Sequence, residues 1–384
     1  MRIGIIGGGI YGSAIAYFLQ RFGADDVVLF EKGTAGGIST ARSVGIVRHH
    51  YSNRNHVKIV KRAREILENL EDHVDRDGGF RNNGFVAVAG EENEAAFRDV
   101  VRLQQQVGLD VELLSPDELA SSLPGLSPDD VTVGAIEHEA GCADPYQVAT
   151  GFLQKAQELG ADVRTNTEVV DIRTDEGEVT TVRTPTNEYQ VDLLVNAAGP
   201  FGGHIARMVG CDLPISWHGA TIAVLESSEE YSSNYPSLSD MDSGLYTKPE
   251  PNGRFVAGGF GRKDIADPRH GSGSVSGAEL RHLSSLIEHR LPGYDDAQVV
   301  TTWTGVVTDT PDGYQILGPS TACENFYNAV AGNGHGFKEA AALAESIAQD
   351  ILGRTPRFDL TPYRHERFAV GDEFVSRYSA DWLG

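Results

Sequence analysis

A glycine-rich turn set between an apolar strand and a helix constrains this chain most. Ile3-Gly4-Ile5-Ile6 reads as a short buried strand. It runs into Gly7-Gly8-Gly9-Ile10-Tyr11-Gly12, a match to G-x-G-x-x-G. A helix-like stretch, Ser13 to Phe22, follows, and then a second apolar strand, Val27-Val28-Leu29-Phe30, that ends on Glu31. Each glycine has its own task. Gly7 allows the tight turn, Gly9 lets a pyrophosphate approach the backbone, and Gly12 lets helix and strand pack closely. The helix N-terminus then turns unpaired N–H groups and the positive end of its dipole toward the phosphates. Glu31 can accept hydrogen bonds from a ribose 2′-OH and would repel a 2′-phosphate. Strand, glycines, helix, strand and acid in this order predict a bound ADP moiety.

The chain has 384 residues, too many for one compact core, and two domains are expected. No apolar run is long enough to cross a bilayer, and the first strand begins at residue 3, leaving no room for a signal peptide before it. A cytoplasmic location is expected. Cys142, Cys211 and Cys323 are far apart and match no metal spacing, so each reads as a buried reduced thiol, and no metal site is expected. The net charge is −23, and only seven of the 32 basic residues are lysine. Acid is spread along the chain, as in Glu91-Glu92-Asn93-Glu94, Asp129-Asp130 and Glu229-Glu230. Such self-repulsion is tolerated in high salt, where the Debye length is about 3 Å at 1 M. A halophilic protein follows, and the absence of a basic patch disfavours nucleic acid as a partner.

Periodicity predicts helices over 55–70, 94–107, 279–291 and 339–352. A further helix opens at Asp144-Pro145, with Asp144 as N-cap and Pro145 in the first turn, and Gly160 ends it. Strands are expected over 85–89, 131–137, 163–172, 189–196, 221–225 and 326–331. Leu245–Lys248 and Phe255–Gly258 flank Pro251-Asn252-Gly253 as a hairpin, and 264–277 reads as a polar loop. Trp303-Thr304-Gly305 and Thr310 to Pro319 read as a strand, a turn and a short strand, which together suggest another hairpin. Cofactor-type motifs stand at the start, middle and end of the chain. The cofactor domain is therefore expected to be discontinuous, over 1–80, 141–210 and 303–384, with a substrate domain of 81–140 and 211–302.

Three further motifs carry chemistry. Leu193-Leu194-Val195-Asn196-Ala197-Ala198-Gly199-Pro200 is a buried strand ending in small residues, which let the backbone come close to a flat cofactor. Gly332-Asn333-Gly334-His335-Gly336-Phe337-Lys338 leads from a strand into the last helix. It forms a second nest of backbone donors, able to polarise the pyrimidine end of a flavin where negative charge develops on reduction. Arg48 stands in the apolar stretch Ala41 to Ser52 and needs an anionic partner, either an internal carboxylate or a substrate carboxylate bound bidentately. His49 and His50 face opposite ways on an extended segment, so at most one of them lines a site.

Together these motifs resemble the D-amino-acid oxidase superfamily of FAD-dependent oxidoreductases, nearest to its sarcosine oxidase and glycine oxidase branch. The resemblance rests on Gly7 to Gly12 with Glu31, Arg42 to Tyr51, Asn196 to Pro200, Thr310 to Pro319 and Gly334 to Lys338. It implies an α/β fold, with a Rossmann-type FAD domain and an α+β substrate domain built on an antiparallel sheet. It extends the cofactor-binding set to Ile10, Tyr11, Lys32, Arg42, Ser43, Gly45, Val169, Ala197, Ala198, Gly199, Gly305 and the whole run Gly332, Asn333, Gly334, His335, Gly336, Phe337, Lys338. It implies hydride transfer from the carbon bearing an amine to flavin, giving an imine, with Arg48 and Lys338 holding the substrate carboxylate. His50, Tyr246 and Lys248 are the candidates for orienting the amine. The chain departs from the pattern in places. Gly305 stands where monomeric sarcosine oxidases tether FAD through cysteine, so FAD is expected to be non-covalent. Tyr246 replaces the lysine that promotes reaction with oxygen, with Lys248 two residues on. Glu250 stands where glycine oxidases carry an arginine. Oxygen and another electron acceptor therefore both remain open as partners, as does a homo-oligomer. The rival readings are an NAD-linked dehydrogenase, from the fingerprint alone, and a flavoprotein subunit working with partner chains.

Overall fold

The strand Arg2–Ile6 lies inside a six-stranded sheet, with Leu193–Asn196 on one side and Asp26–Phe30 on the other, all parallel. The full order is Ile316–Pro319, Phe326–Val330, Leu193–Asn196, Arg2–Ile6, Asp26–Phe30 and Asp162–Arg164, with only the first strand antiparallel. These strands are continuous apolar runs because both faces of the sheet are covered. One face packs on helices Ile10–Arg21, Pro145–Glu158 and Gly336–Ile351. The other packs on a small antiparallel sheet of Asp171–Asp175, Glu178–Arg183 and Glu188–Gln190. This computed structural model describes residues 1–259, 261–265, 267–268 and 275–378.

An eight-stranded sheet stands beside the first. Its order is Gln298–Asp309, Ser216–Glu226, Arg254–Gly259, Leu245–Pro249, Ser237–Asp240, Phe85–Ala89, Val133–Glu137 and Val111–Leu114. Every pair is antiparallel except Ser237–Asp240 with Phe85–Ala89. The expected hairpin at 245–258 is present, and Asn252 takes the left-handed φ of 66° that its turn requires. Asp144 caps its helix as expected, accepting from the N–H groups of Tyr146 and Gln147. All three cysteines are buried and free.

Five expectations needed correction. The strand expected over 163–172 splits into Asp162–Arg164 and Asp171–Asp175, which belong to different sheets. Between them the N–H groups of Asn166 and Thr167 are spent on the carbonyls of Gly33 and Glu31, so no ladder can continue. The strand expected over 189–196 likewise divides at 191–192. The hairpin suggested from Trp303 to Pro319 does not form. Gln298–Asp309 pairs along its length with Ser216–Glu226, whereas Ile316–Pro319 pairs with Phe326–Val330. Residues 310–315 instead cross from one sheet to the other, and the boundary expected at 303 falls inside a strand of the eight-stranded sheet. The last helix begins at Gly336 rather than 339, which puts Lys338 and Glu339 in its first turn. Of the polar loop expected over 264–277, residues 266 and 269–274 lie outside the described residues.

Candidate functional site

The first strand, its glycine turn and the following helix form one wall of a cavity of about 860 Å³ between the two large sheets. Gly7 has φ 107°, and a Cβ there would stand 2.4 Å from the carbonyl oxygen of Ala197. A Cβ on Gly12 would stand 1.9 Å from the Gly7 carbonyl oxygen, so the helix can approach the strand only with glycine at that position. A Cβ on Gly9 would meet only the Thr40 hydroxyl at 3.4 Å, and the Gly9 backbone lines the cavity. Apart from the Thr40 hydroxyl, which accepts from the Ile10 N–H at 3.1 Å, no side chain caps the helix at Gly9. Its first turn is thus a donor surface of the kind that holds a pyrophosphate. Glu31 accepts from the N–H of Gly8 and of Gly33, at 2.8 Å each, and faces the cavity from the end of the second strand. Lys32 lies over the ring of Phe201.

The second nest closes the opposite end. Ala331, Asn333 and Gly334 all have positive φ, at 65°, 45° and 76°. The Asn333 side chain accepts from the N–H of Thr310 at 2.8 Å, and the Asn333 N–H donates to the Thr308 carbonyl at 2.9 Å. These bonds tie the turn to the crossing segment and hold its backbone in place. Arg42 reaches the cavity from a 3₁₀ turn (Thr40–Arg42). Its Nη1 is buried with no hydrogen-bond partner among the described residues, as expected of a group that waits for a ligand.

Arg48 and Lys338 come together from opposite ends of the chain, and both line the cavity. Arg48 follows the short strand Ile46–Val47; it lies over the Tyr51 ring at 4.4 Å and donates to the His50 carbonyl. No carboxylate pairs with it among the described residues, which leaves the internal ion pair without a partner. Lys338 is only 7 % exposed. Burial, and then the Arg48 charge beside it, push Lys338 down to about 7. Two neighbouring cations in one pocket call for an anion.

Of the residues predicted from sequence, Gly12, Gly45, His50 and Lys248 do not line the cavity; the other predicted residues do. Gly12 acts through packing, as foreseen. Gly45, at φ 77°, also acts through packing, since a Cβ would lie 2.1 Å from the Ala143 carbonyl oxygen. Lys248 pairs with Glu250, so it does not take the place of a lysine at the cavity wall. His50 turns away, bonding to Tyr378 and packing on Phe97, and burial lowers it to about 4. Neither of the paired histidines lines the cavity. His49 is bound through its N–H and Nδ1 to the buried Glu137, at 2.7 and 3.2 Å. Tyr246 does line the cavity, and burial raises its hydroxyl well above the ordinary range.

Sequence reasoning missed a buried polar group behind the second nest. His56, His335 and Glu339 have polar side-chain atoms within 4.8 Å of one another, and one oxygen of Glu339 faces both imidazoles. The available signal was the i, i+4 spacing of His335 and Glu339, with an acid leading the alanine run Ala340-Ala341-Ala342. His56 carried no signal of its own.

These features fit FAD. The two nests suit the pyrophosphate and the flavin ring, Glu31 suits the ribose, and Arg42 has a free donor. None of the three cysteines lines the cavity. The family described as FAD dependent oxidoreductase matches residues 2–350. The chain is 28% identical to the sarcosine oxidase subunit beta of Arthrobacter sp, over 96% of this chain and 91% of that protein. It is 26% identical to FAD-dependent oxidoreductase domain-containing protein 1 of Bos taurus, over 96% and 85%. Its fold matches the crystal structure of L-proline dehydrogenase from P. horikoshii with a TM-score of 0.89 and 24% identity, over 97% and 99% of the two chains. The NAD reading of the opening fingerprint is thereby replaced by FAD. Among the described residues no helix is long and apolar enough to cross a membrane. The chain belongs to the FAD dependent oxidoreductase family.

Proposed function

We propose that the protein oxidises the C–N bond of a small amino acid or N-methyl amino acid. The observation that carries this reading is that Arg48 and Lys338 stand together in the cavity wall with no carboxylate paired to either among the described residues. Arg48 offers a fork of donors to a carboxylate, and Lys338 adds a point charge. Anchored there, the substrate presents its amine and α-carbon to the interior of the cavity. Bound FAD supplies a two-electron acceptor for the hydride on that carbon. The substrate loses this hydride from carbon and a proton from nitrogen, and its C–N bond becomes C=N. Water then hydrolyses the imine to a carbonyl compound and a free amine. Oxygen or another electron acceptor completes the cycle.

The amine must be unprotonated when the hydride leaves. Tyr246 stays neutral in the cavity wall and can orient the amine without taking its proton. Burial and the Arg48 charge bring Lys338 down to about 7, so in the empty pocket it is only partly charged at neutral pH, and a bound carboxylate favours the charged form. The test is Arg48→Ala. A lost charge-assisted bond weakens substrate binding by about 10–100-fold while FAD stays bound. Unchanged amino-acid turnover in this variant would refute the carboxylate role.

A second reading, work as a subunit beside partner chains, is favoured by the likeness to a sarcosine oxidase subunit beta. Activity of the purified single chain, with its mass in solution, decides between the two.

A further inference from the structure

We propose that His218, oriented by Asp309, is the base that takes a proton from the substrate amine before hydride transfer. The inference rests on the reading that Arg48 and Lys338 hold the substrate carboxylate while FAD takes the hydride. That reading leaves one proton without an acceptor. Tyr246 stays neutral, and Lys338 faces the carboxylate beside Arg48.

The strands place this dyad. His218 lies in Ser216–Glu226, directly across from Val307 in Gln298–Asp309. Residues opposite each other in an antiparallel pair share a face, as do residues two apart along a strand. His218, Val307 and Asp309 therefore stand on one face, and all three line the cavity. His218 Nδ1 bonds to Asp309 Oδ2, and both side chains are 15 % exposed. The dyad sits at the end of the cavity that the second nest closes. A Cβ on Gly334 would stand 3.7 Å from the Val307 side chain. Asn333 bonds to both Thr308 and Thr310, the neighbours of Asp309. The helix that carries Lys338 starts from the same nest.

The bonding leaves one ring atom for chemistry. A carboxylate only accepts, so Nδ1 donates to Asp309, and the neutral ring keeps a lone pair on Nε2. No second partner meets this ring among the described residues. The other histidines of the wall are less suited. His335 has Nδ1 against Glu339 and Gln315 and Nε2 against the Gly313 carbonyl. His204 is exposed on the short helix Gly202–Arg207. Two cations border the dyad. Arg262 stands 3.9 Å from Asp309 and is 59 % exposed. Lys263 bridges to Gly219 through the backbone and turns its ammonium to Glu279 at 3.1 Å. Proton transfer breaks one N–H bond of the substrate ammonium and leaves the electron pair on nitrogen. The proton bonds to Nε2, and Asp309 faces the imidazolium that results. When the hydride leaves carbon, the freed pair becomes the second bond of C=N.

The test follows anaerobic bleaching of the flavin in the FAD-loaded enzyme, from pH 7 to 10, by a panel of N-methylglycine and both hands of proline and alanine. His218→Gln is expected to slow bleaching by about 100-fold or more at pH 7. The defect is expected to shrink as pH rises, because free amine then arrives unprotonated. Asp309→Asn, which removes the counter-charge, is expected to slow bleaching with the same pH trend. Acetate carries no amine, so H218Q and the wild-type enzyme are expected to bind it alike, read by the flavin spectrum. In histidine-labelled protein, ¹⁵N spectra are expected to show the neutral His218 ring protonated at Nδ1 and bare at Nε2. Bleaching of H218Q at the wild-type rate overturns the proposal, as does a defect that pH does not change or a loss of acetate binding. A neutral ring protonated at Nε2 overturns it even if both variants fail to fold. If no member of the panel bleaches the wild-type flavin, the amine reading falls and this proposal with it. The carboxylate role of Arg48 and Lys338 is read separately, by acetate.

Discussion

Replacing Lys338 by methionine should make the substrate-free protein more stable and its substrate binding weaker. The magnitude follows from the burial of the ammonium group. A lysine held at about 7 in place of its ordinary 10.5 has its charged form disfavoured by about 5 kcal/mol on folding. Below pH 7 the group is charged in both folded and unfolded chains, and this full cost applies. Between pH 7 and 10.5 the folded chain releases the proton and the unfolded chain keeps it, so the cost shrinks as pH rises. At pH 9 about 2 kcal/mol remains, and above pH 10.5 none does. Methionine fills much the same volume without the charge. The Lys338→Met protein should therefore gain up to about 5 kcal/mol at pH 6 and about 2 kcal/mol at pH 9. Urea unfolding of both proteins at the two pH values measures the difference. The same variant should bind a simple carboxylate such as acetate, read by perturbation of the flavin spectrum, more weakly than the wild-type protein. A variant less stable at pH 6, or a gain that grows with pH, would refute the picture of an uncompensated buried cation.

Other perturbations follow from the same geometry. Carboxylate affinity should fall as pH rises above about 7, because binding must then return a proton to Lys338; a pH series of acetate dissociation constants checks this, and a flat profile contradicts it. Gly12→Ala places a Cβ 1.9 Å from the Gly7 carbonyl oxygen. Overpacking of this kind costs about 1–3 kcal/mol, so FAD affinity should drop by about tenfold or more, measured by cofactor titration of the apoprotein. Arg367→Ala strands Asp312, whose carboxylate is 1 % exposed and meets Arg367 in a two-bond fork at 2.7 and 2.9 Å. The loss should be about 3–5 kcal/mol in urea unfolding. Burial raises the Asp312 carboxyl, but Arg367 holds it below its ordinary value. The pair therefore stabilises the fold above the ordinary carboxylate range, and its contribution is lost as pH falls through the lowered value. The R367A protein should show less of this acid sensitivity.

How much was legible depended on how local the signal was. The fingerprint could be read because strand, turn and helix are contiguous, and a clash such as that of Gly12 with Gly7 spans only five residues. The acidic composition was legible too, although nothing in the fold tests the salt-loving habitat it suggested. Readings failed where one segment serves two sheets. Residues 303–319 look like a hairpin because alternation and a turn signal name strands but not their partners. Lys248 looked suited to the cavity because the strand's alternation puts it on the same face as Tyr246, yet its ammonium is drawn to Glu250.

By itself the sequence determined the cofactor class and the glycines that cradle it, since only a residue without a Cβ can occupy positions where the backbone passes within 2.4 Å of a would-be side chain. It also marked Arg48 as a cation out of place in an apolar stretch, while Lys338 was named by the family resemblance. Only the tertiary structure decided that these two share one wall, that His50 turns away from it, and that Glu339 sits between His56 and His335. Such placements depend on contacts across some 280 residues of chain, and no local pattern encodes them. Charges buried together must settle their protons with one another, and the identity of those neighbours is set by packing.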